Sequence, residues 1–285
     1  MPPSHLALAL AVVAVWGTNF VVIKWGLAEL PPFLLAALRF AGSSLPFLAF
    51  IARPAVPWQR LAAFGVLLGV GQFGLLFLAM QASISPGLAS LVVQSQVFFT
   101  IALSGQRLQR LQWAAMAMAA AGMGWIGWQA HAGGADLSLL GLLLVLAAAL
   151  CWAVANGVAR AAGRVDPLGF MVWSSAWAVL PLTALSLGLE GGPAAVGAAV
   201  AGASAGAWAV VAWQAVGNTL FGYGAWNWLL ARHAPATVTP AALLVPVFGM
   251  GASAWALGEP LPAWKLGAAA LVMCGLALNL WAARR

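Results

Sequence analysis

The sequence predicts an all-α integral membrane protein: ten transmembrane helices in two inverted-topology five-helix repeats around a central cavity. Three observations predict it. Hydrophobic residues make up 64% of the 285 positions and charged residues only 6%. Soluble domains carry about 25% charged residues, so a chain this apolar cannot cover a water-facing surface. The apolar runs are long and continuous rather than alternating, which favours helices over a β-barrel as the form that satisfies every backbone group in lipid. Finally, a set of residues in the first half recurs in order in the second.

Runs of roughly 20 apolar residues, broken by Gly, Pro or charge, mark candidate spans. They fall at 6–28, 32–52, 60–82, 86–104, 111–130, 138–161, 168–188, 206–231, 235–257 and 262–282. The opening MPPSH has no Lys or Arg. The positive flank of a signal peptide is therefore missing, and the apolar run outlasts the usual h-region of about 7–15 residues. It reads as a retained first helix. The connections are short except for 190–206, rich in Gly and Ala, which is open as a loop, as part of the eighth helix, or as both.

The formal net charge is +7. The basic residues stand singly between apolar runs, so they report topology rather than a nucleic-acid partner. With the N-terminus inside, the inner side holds Arg53, Arg60, Arg107, Arg110, Arg160, Arg164, Arg232, Arg284 and Arg285. The outer side holds Lys24, Lys265, Glu29, Asp136, Glu190 and Glu259, and among the acids only Asp166 falls inside. That sorting obeys the positive-inside rule and places both termini in the cytoplasm.

WGTN at 16–19 pairs with WAVAN at 152–156, Pro46 with Pro181, VF at 97–98 with VF at 247–248, and GQRL at 105–108 with GEPL at 258–261. Five spans per half is an odd number, so the halves insert with opposite orientation. That is the inverted repeat of many secondary transporters, whose substrate site lies near the midplane between the repeats. The expected repeats are 1–130 and 138–285.

Polar side chains are costly in lipid unless they face the bundle interior or a wet cavity. The candidate substrate-binding residues are Trp16, Asn19, Gln72, Gln94, Asn156, Asn218, Tyr223 and Trp226. Gln214 and Asn218 are four apart and share a helix face, as do Tyr223 and Asn227. For any one of these residues, interhelical hydrogen bonding competes with ligand contact; the set as a whole points to a cavity for a small polar ligand. Pro246 lies within the ninth span and frees the carbonyl of Ala242. Gln96 occupies the repeat-equivalent place in the fourth span, so Gln96 and Pro246 are candidate gating or helix-break positions. The small-residue series Gly65, Gly69, Gly71 and Gly74 permits close helix approach. Arg39, roughly 10 Å into the second span at 1.5 Å per residue, leaves three roles open: reaching the interface, pairing with Glu29, or meeting a substrate carboxylate. The first, structural, role is preferred, because long basic side chains near helix ends reach outward.

No carboxylate lies deep in a span, no zinc-helix or phosphate-loop pattern occurs, and no acid pair suggests acid–base chemistry. An enzyme, a metal site and a cofactor are therefore not expected. Cys151 and Cys274 read as small packing residues.

VVAVWGTNFVVIKWGL at 12–27, PPFLLAALRF at 31–40, PGLASLVVQSQVFFTI at 86–101 and LLVPVFGM at 243–250 together resemble the EamA-type branch of the drug/metabolite transporter superfamily. The likeness is strongest to bacterial inner-membrane exporters of cysteine, O-acetylserine and other amino acids. The resemblance implies two EamA repeats, cytoplasmic termini and alternating access. It departs at GQRL, where the family's first repeat often carries a Glu. The expected function is export of amino acids or similar small metabolites; the alternative is export of lipophilic cations or drugs, for which the tryptophans allow cation–π contact. The expected partners are a small-molecule substrate and the lipid bilayer, with oligomeric state open.

Overall fold

Prolines and caps set where the helices begin. The computed structural model describes residues 1–285 except 104, 106–108, 133–136, 164, 234 and 283–285. Arg107, Asp136, Arg164, Arg284, Arg285 and most of the GQRL motif thus lie outside the described residues. The helices are α1 (Pro3–Gly26), α2 (Pro32–Phe47), α3 (Trp58–Gln81), α4 (Pro86–Leu103), α5 (Arg110–His131), α6 (Leu139–Ala161), α7 (Pro167–Leu189), α8 (Gly192–Gly202), α9 (Ala205–Leu230), α10 (Thr239–Leu257) and α11 (Ala263–Ala282). Proline opens α1, α2, α4 and α7, where its missing N–H removes no intrahelical bond. Ser138, Asp166 and Ser204 accept from backbone N–H groups in the first turns of α6, α7 and α9, as oxygen-bearing N-caps do.

Among the described residues seven helices are long and apolar enough to cross a membrane: α1, α3, α4, α6, α7, α10 and α11. The pair α8 and α9 is bent by 98° and counts as an eighth if taken as one span. The chain is therefore a multi-pass membrane protein. The 190–206 stretch is neither a plain loop nor a smooth start to α9; it holds the separate helix α8.

Besides α2, which ends in a 3₁₀ turn at Leu45–Phe47, four helices leave regular α geometry. Leu67–Gly74 in α3 and Trp213–Phe221 in α9 are π-helical. Val93–Ser95 in α4 and Thr239–Leu244 at the start of α10 are 3₁₀. Packing is reciprocal between the halves. Helix α1 lies against α9 and α10, and α6 against α3 and α4; α2 packs on α7, and α5 on α11. Small residues set the closest crossings. A Cβ on Gly17 would stand 2.5 Å from the Phe248 Cβ and 2.6 Å from the Val245 carbonyl oxygen, so only glycine lets α1 cross α10 here. In α3, side chains at Gly65 and Gly69 would collide with Ser174 and Ala178 of α7.

Candidate functional site

One cavity of about 640 Å³ lies between the halves, within the size range of small-molecule sites. Trp16, Asn19, Gln72, Gln94, Asn156, Asn218, Tyr223 and Trp226 all line it, and so does Gln96. Pro246 does not; its neighbour Val245 does. The lining extends to Gly163, Val165 and Pro167 beyond the end of α6. That is the end of the bundle where Arg60 Nη1 donates to the Ala161 carbonyl and His5 meets His233 across 2.7 Å.

The irregular segments supply the wall. In the π turn of α9 the carbonyl of Asn218 accepts from Trp16 Nε1 at 3.4 Å. The Trp16 ring stands 5.4 Å from Tyr223 and 5.2 Å from Trp226, within the range of paired aromatic side chains. A Cβ on Gly222 would strike that indole, so the glycine makes room for Trp16 between α1 and α9. In α3 the π turn carries Gln72, whose Oε1 is buried with no hydrogen-bond partner. A buried acceptor left unmade costs about 1–3 kcal/mol, and here it borders the cavity.

The 3₁₀ segments meet each other. Gln94 Nε2 donates to the Ala242 carbonyl at 3.3 Å. Ala242 is four residues before Pro246, so proline deprives this carbonyl of its i+4 donor; in the 3₁₀ turn it accepts from the Val245 N–H as well. Gln94, inside the 3₁₀ turn of α4, therefore answers the break in α10. As Val245 and Pro246 do in α10, Gln96 begins the α-helical segment that follows the 3₁₀ turn. Its Oε1 accepts from Asn156 Nδ2 at 3.1 Å.

Two of the lining asparagines, Asn156 and Asn19, bridge helices while bordering the cavity. Asn156 joins α6 to α4. Asn19 joins α1 to α9 through a paired amide: Gln214 Nε2 donates to Asn19 Oδ1 at 2.8 Å, and Asn19 Nδ2 donates to Gln214 Oε1 at 3.3 Å. Arg39 corrects the preferred reading of its sequence position. It does not reach the interface and does not pair with Glu29. Its side chain is fully buried, donates from Nη1 to Gln214 Oε1 at 2.8 Å, and lies 3.6 Å over the Phe73 ring. Glu29 instead accepts from the Ser204 N–H and hydroxyl at the start of α9, and these bonds, the backbone one first, hold its carboxyl below the ordinary value.

The other described carboxylates are spent in the same way. Asp166 accepts from Gly169 N. Glu190 accepts from Phe33 N and Leu34 N at the start of α2. Glu259 accepts from Gly87 N at the start of α4, from the Ser85 hydroxyl, and from Lys265 Nζ at 2.8 Å. Negative charge at a helix N-terminus is stabilised by the orphan N–H groups and the helix dipole. Among the described residues, the lining of the cavity contains no carboxylate. At the end of the bundle that holds Asp166, burial, then the neighbouring His5, holds the His233 imidazole below its ordinary value.

A cavity of this size between two reciprocally packed helical halves is a transporter's arrangement, and comparison with known proteins agrees. The model of the EamA-like transporter family matches twice, at residues 4–128 and 139–281. The chain belongs to the EamA-like transporter family. A probable amino-acid metabolite efflux pump of Salmonella typhimurium is 40% identical over 285 aligned positions, covering 97% of this chain and 95% of that protein. A probable amino-acid metabolite efflux pump of Escherichia coli is 37% identical with the same coverage. A solved crystal structure shares the fold, with a TM-score of 0.62 over the full length of both chains at 21% identity.

The transporter's cavity also has walls that the sequence did not single out. Phe64, Phe73 and Phe170 line it. In helices this apolar a ring facing a cavity has no contrast with a ring facing lipid, so no sequence signal marks them. Asn227 and Thr239, by contrast, also line it and carry the polar signal that marks the other residues.

Proposed function

We propose that this transporter exports amino acids or similar small metabolites across a bacterial inner membrane by alternating access. The single observation that carries the reading is the cavity itself, walled by polar residues from both halves at four matched helix irregularities. The names of the two relatives that align over nearly the whole chain point to the same substrate class, and the family places transport rather than catalysis first. The fold behind it is ten spans in two inverted repeats, 1–130 and 138–285, with both termini cytoplasmic. Support comes from the double family match and from the reciprocal packing, since a two-fold relation makes element i of one half touch element j of the other and the reverse. In that orientation the cavity extends toward the cytoplasmic end. The far end is held by the Glu259 cluster and by Lys24 Nζ donating to the Met80 and Gln81 carbonyls.

The proposed substrate-contacting residues are Trp16, Asn19, Gln72, Gln94, Asn156, Asn218, Tyr223 and Trp226, with Gln96 and Pro246 at the moving breaks. Uptake of a labelled amino-acid panel into proteoliposomes, with and without a pH gradient, tests the reading. Transport of at least one amino acid is expected. Transport of organic cations with none of any amino acid moves the assignment to the drug-export alternative.

A further inference from the structure

Arg39 is the one buried charge bordering the cavity wall that the described carboxylates leave uncompensated. Its side chain is fully buried, and its Nε and Nη2 have no hydrogen-bond partner. Glu29, Asp166, Glu190 and Glu259 are each bound to a helix N-terminus instead. A buried cation without a counter-ion is strongly disfavoured in a membrane interior, so such a residue marks a functional site with a partner to be named.

The hydrogen bonds show how the charge reaches the cavity. Arg39 Nη1 fixes Gln214 with its oxygen toward the guanidinium. That leaves Gln214 Nε2 to donate to Asn19 Oδ1. Asn19 lines the cavity, and of its two amide hydrogens only one has a partner here, the Gln214 oxygen that Arg39 already occupies. The wall at Asn19 therefore carries a spare N–H donor backed by a positive charge. Phe73, whose ring lies under the guanidinium, lines the same cavity, so one aromatic ring separates Arg39 from its contents. Gln72, next along α3, adds an unpaired acceptor oxygen. A donor backed by positive charge and a separate acceptor match the carboxylate and the ammonium of a zwitterion.

We propose that Arg39 is the specificity-determining charge of the cavity: acting through the Gln214–Asn19 amide pair, it holds the carboxylate of an amino-acid-like substrate and rejects substrates that carry only positive charge. The inference rests on the reading of the cavity as the transport site. Arg39 is a positioning residue here, since the described geometry gives it contact through the amides rather than directly.

The test uses the full chain in proteoliposomes and three probes: the best-transported amino acid of the labelled panel, its primary amide, and its decarboxylated amine. Wild type is expected to favour the amino acid at least tenfold in kcat/KM over both analogues. Arg39→Gln is expected to shrink that preference to under threefold, through a higher KM for the amino acid, with uptake of the amine unchanged or increased. Arg39→Lys, which keeps the charge, is expected to retain part of the preference. Equal uptake of amine and amino acid by wild type overturns the proposal, as does a folded Arg39→Gln that keeps the tenfold preference. If Arg39→Gln does not fold, the wild-type series alone decides. No uptake of any panel member sinks the transport reading and this inference with it; uptake without carboxylate preference sinks this inference alone.

Discussion

The first and second halves of the transporter place the same kinds of irregularity in corresponding helices, yet they hold them differently. Helices α3 and α9 each carry a π segment, and α4 and α10 each carry a 3₁₀ segment. In α10 the break is written into the chain by Pro246. In α4 no proline stands at the break; Val93, Gln94 and Ser95 are buried in it, and Gln94 donates to the Ala242 carbonyl, which has lost its i+4 donor to Pro246 and otherwise accepts from the Val245 N–H. The caps are also shared across the halves: Glu190 and Glu259 of the second half cap α2 and α4 of the first, and Glu29 of the first caps α9 of the second. The difference teaches that neither half is a self-sufficient copy. Each supplies groups that the other's broken helices lack, so divergence of the halves and their mutual dependence are one fact.

The largest expected effect tests those caps. Glu259 and Lys265 form a buried ion pair, with side chains 5% and 0% exposed. Removing one member of such a pair leaves an uncompensated charge and costs about 3–5 kcal/mol. Glu259→Gln is therefore expected to lower stability by about 3 kcal/mol. Glu190→Gln weakens a cap that has no ion pair among its described contacts, and is expected to cost about 1 kcal/mol. Thermal unfolding of the two purified variants in detergent reads the ordering. Equal losses break the distinction between an ionic lock and a plain cap.

A smaller effect contrasts the related helices α1 and α6. Gly17 abuts the backbone of α10, whereas a Cβ on Gly157 of α6 meets nothing within 4 Å. Overpacking costs about 1–3 kcal/mol, while Ala is favoured over Gly in a helix by up to about 1 kcal/mol. Gly17→Ala is expected to destabilise by about 2 kcal/mol, and Gly157→Ala to be neutral or mildly stabilising. Yield and melting temperature of the folded fraction separate them; a harmless Gly17→Ala contradicts the close crossing.

Helix positions were legible because Pro, Gly and charge interrupt an otherwise apolar chain. The cavity-lining amides were legible because polar groups are rare there: Asn19, Gln72, Gln94 and Asn156 all reach one cavity. Their partners were not. Gln214 is 175 positions from Arg39, and nothing local to either residue announces the bond. The outward rule for basic side chains near helix ends misplaced Arg39 because it weighs depth alone, while a buried amide and a phenyl ring were waiting inside. The π segments were invisible for another reason: a shift in backbone hydrogen-bond register leaves no compositional mark. Likewise α8 was ambiguous because Gly and Ala serve a loop and a helix alike.

The smallest effect goes to the center of the comparison, the contact between the two breaks. Gln94→Ala removes one of two hydrogen bonds to the half-buried Ala242 carbonyl and is expected to cost about 1 kcal/mol. In a Pro246→Ala background the backbone N–H at 246 becomes available to the same carbonyl. Gln94 is then no longer needed there, and its removal is expected to cost less than about 0.5 kcal/mol. The double-mutant cycle, read from thermal unfolding of all four proteins, should therefore show a coupling of about 0.5–1 kcal/mol. Pro246→Ala alone is expected to lower amino-acid uptake severalfold while keeping the folded yield, because a regular helix in place of the 3₁₀ turn stiffens one wall of the cavity. A coupling of zero means that Gln94 and Pro246 are independent packing details, and the two breaks then have no physical reason to share a depth.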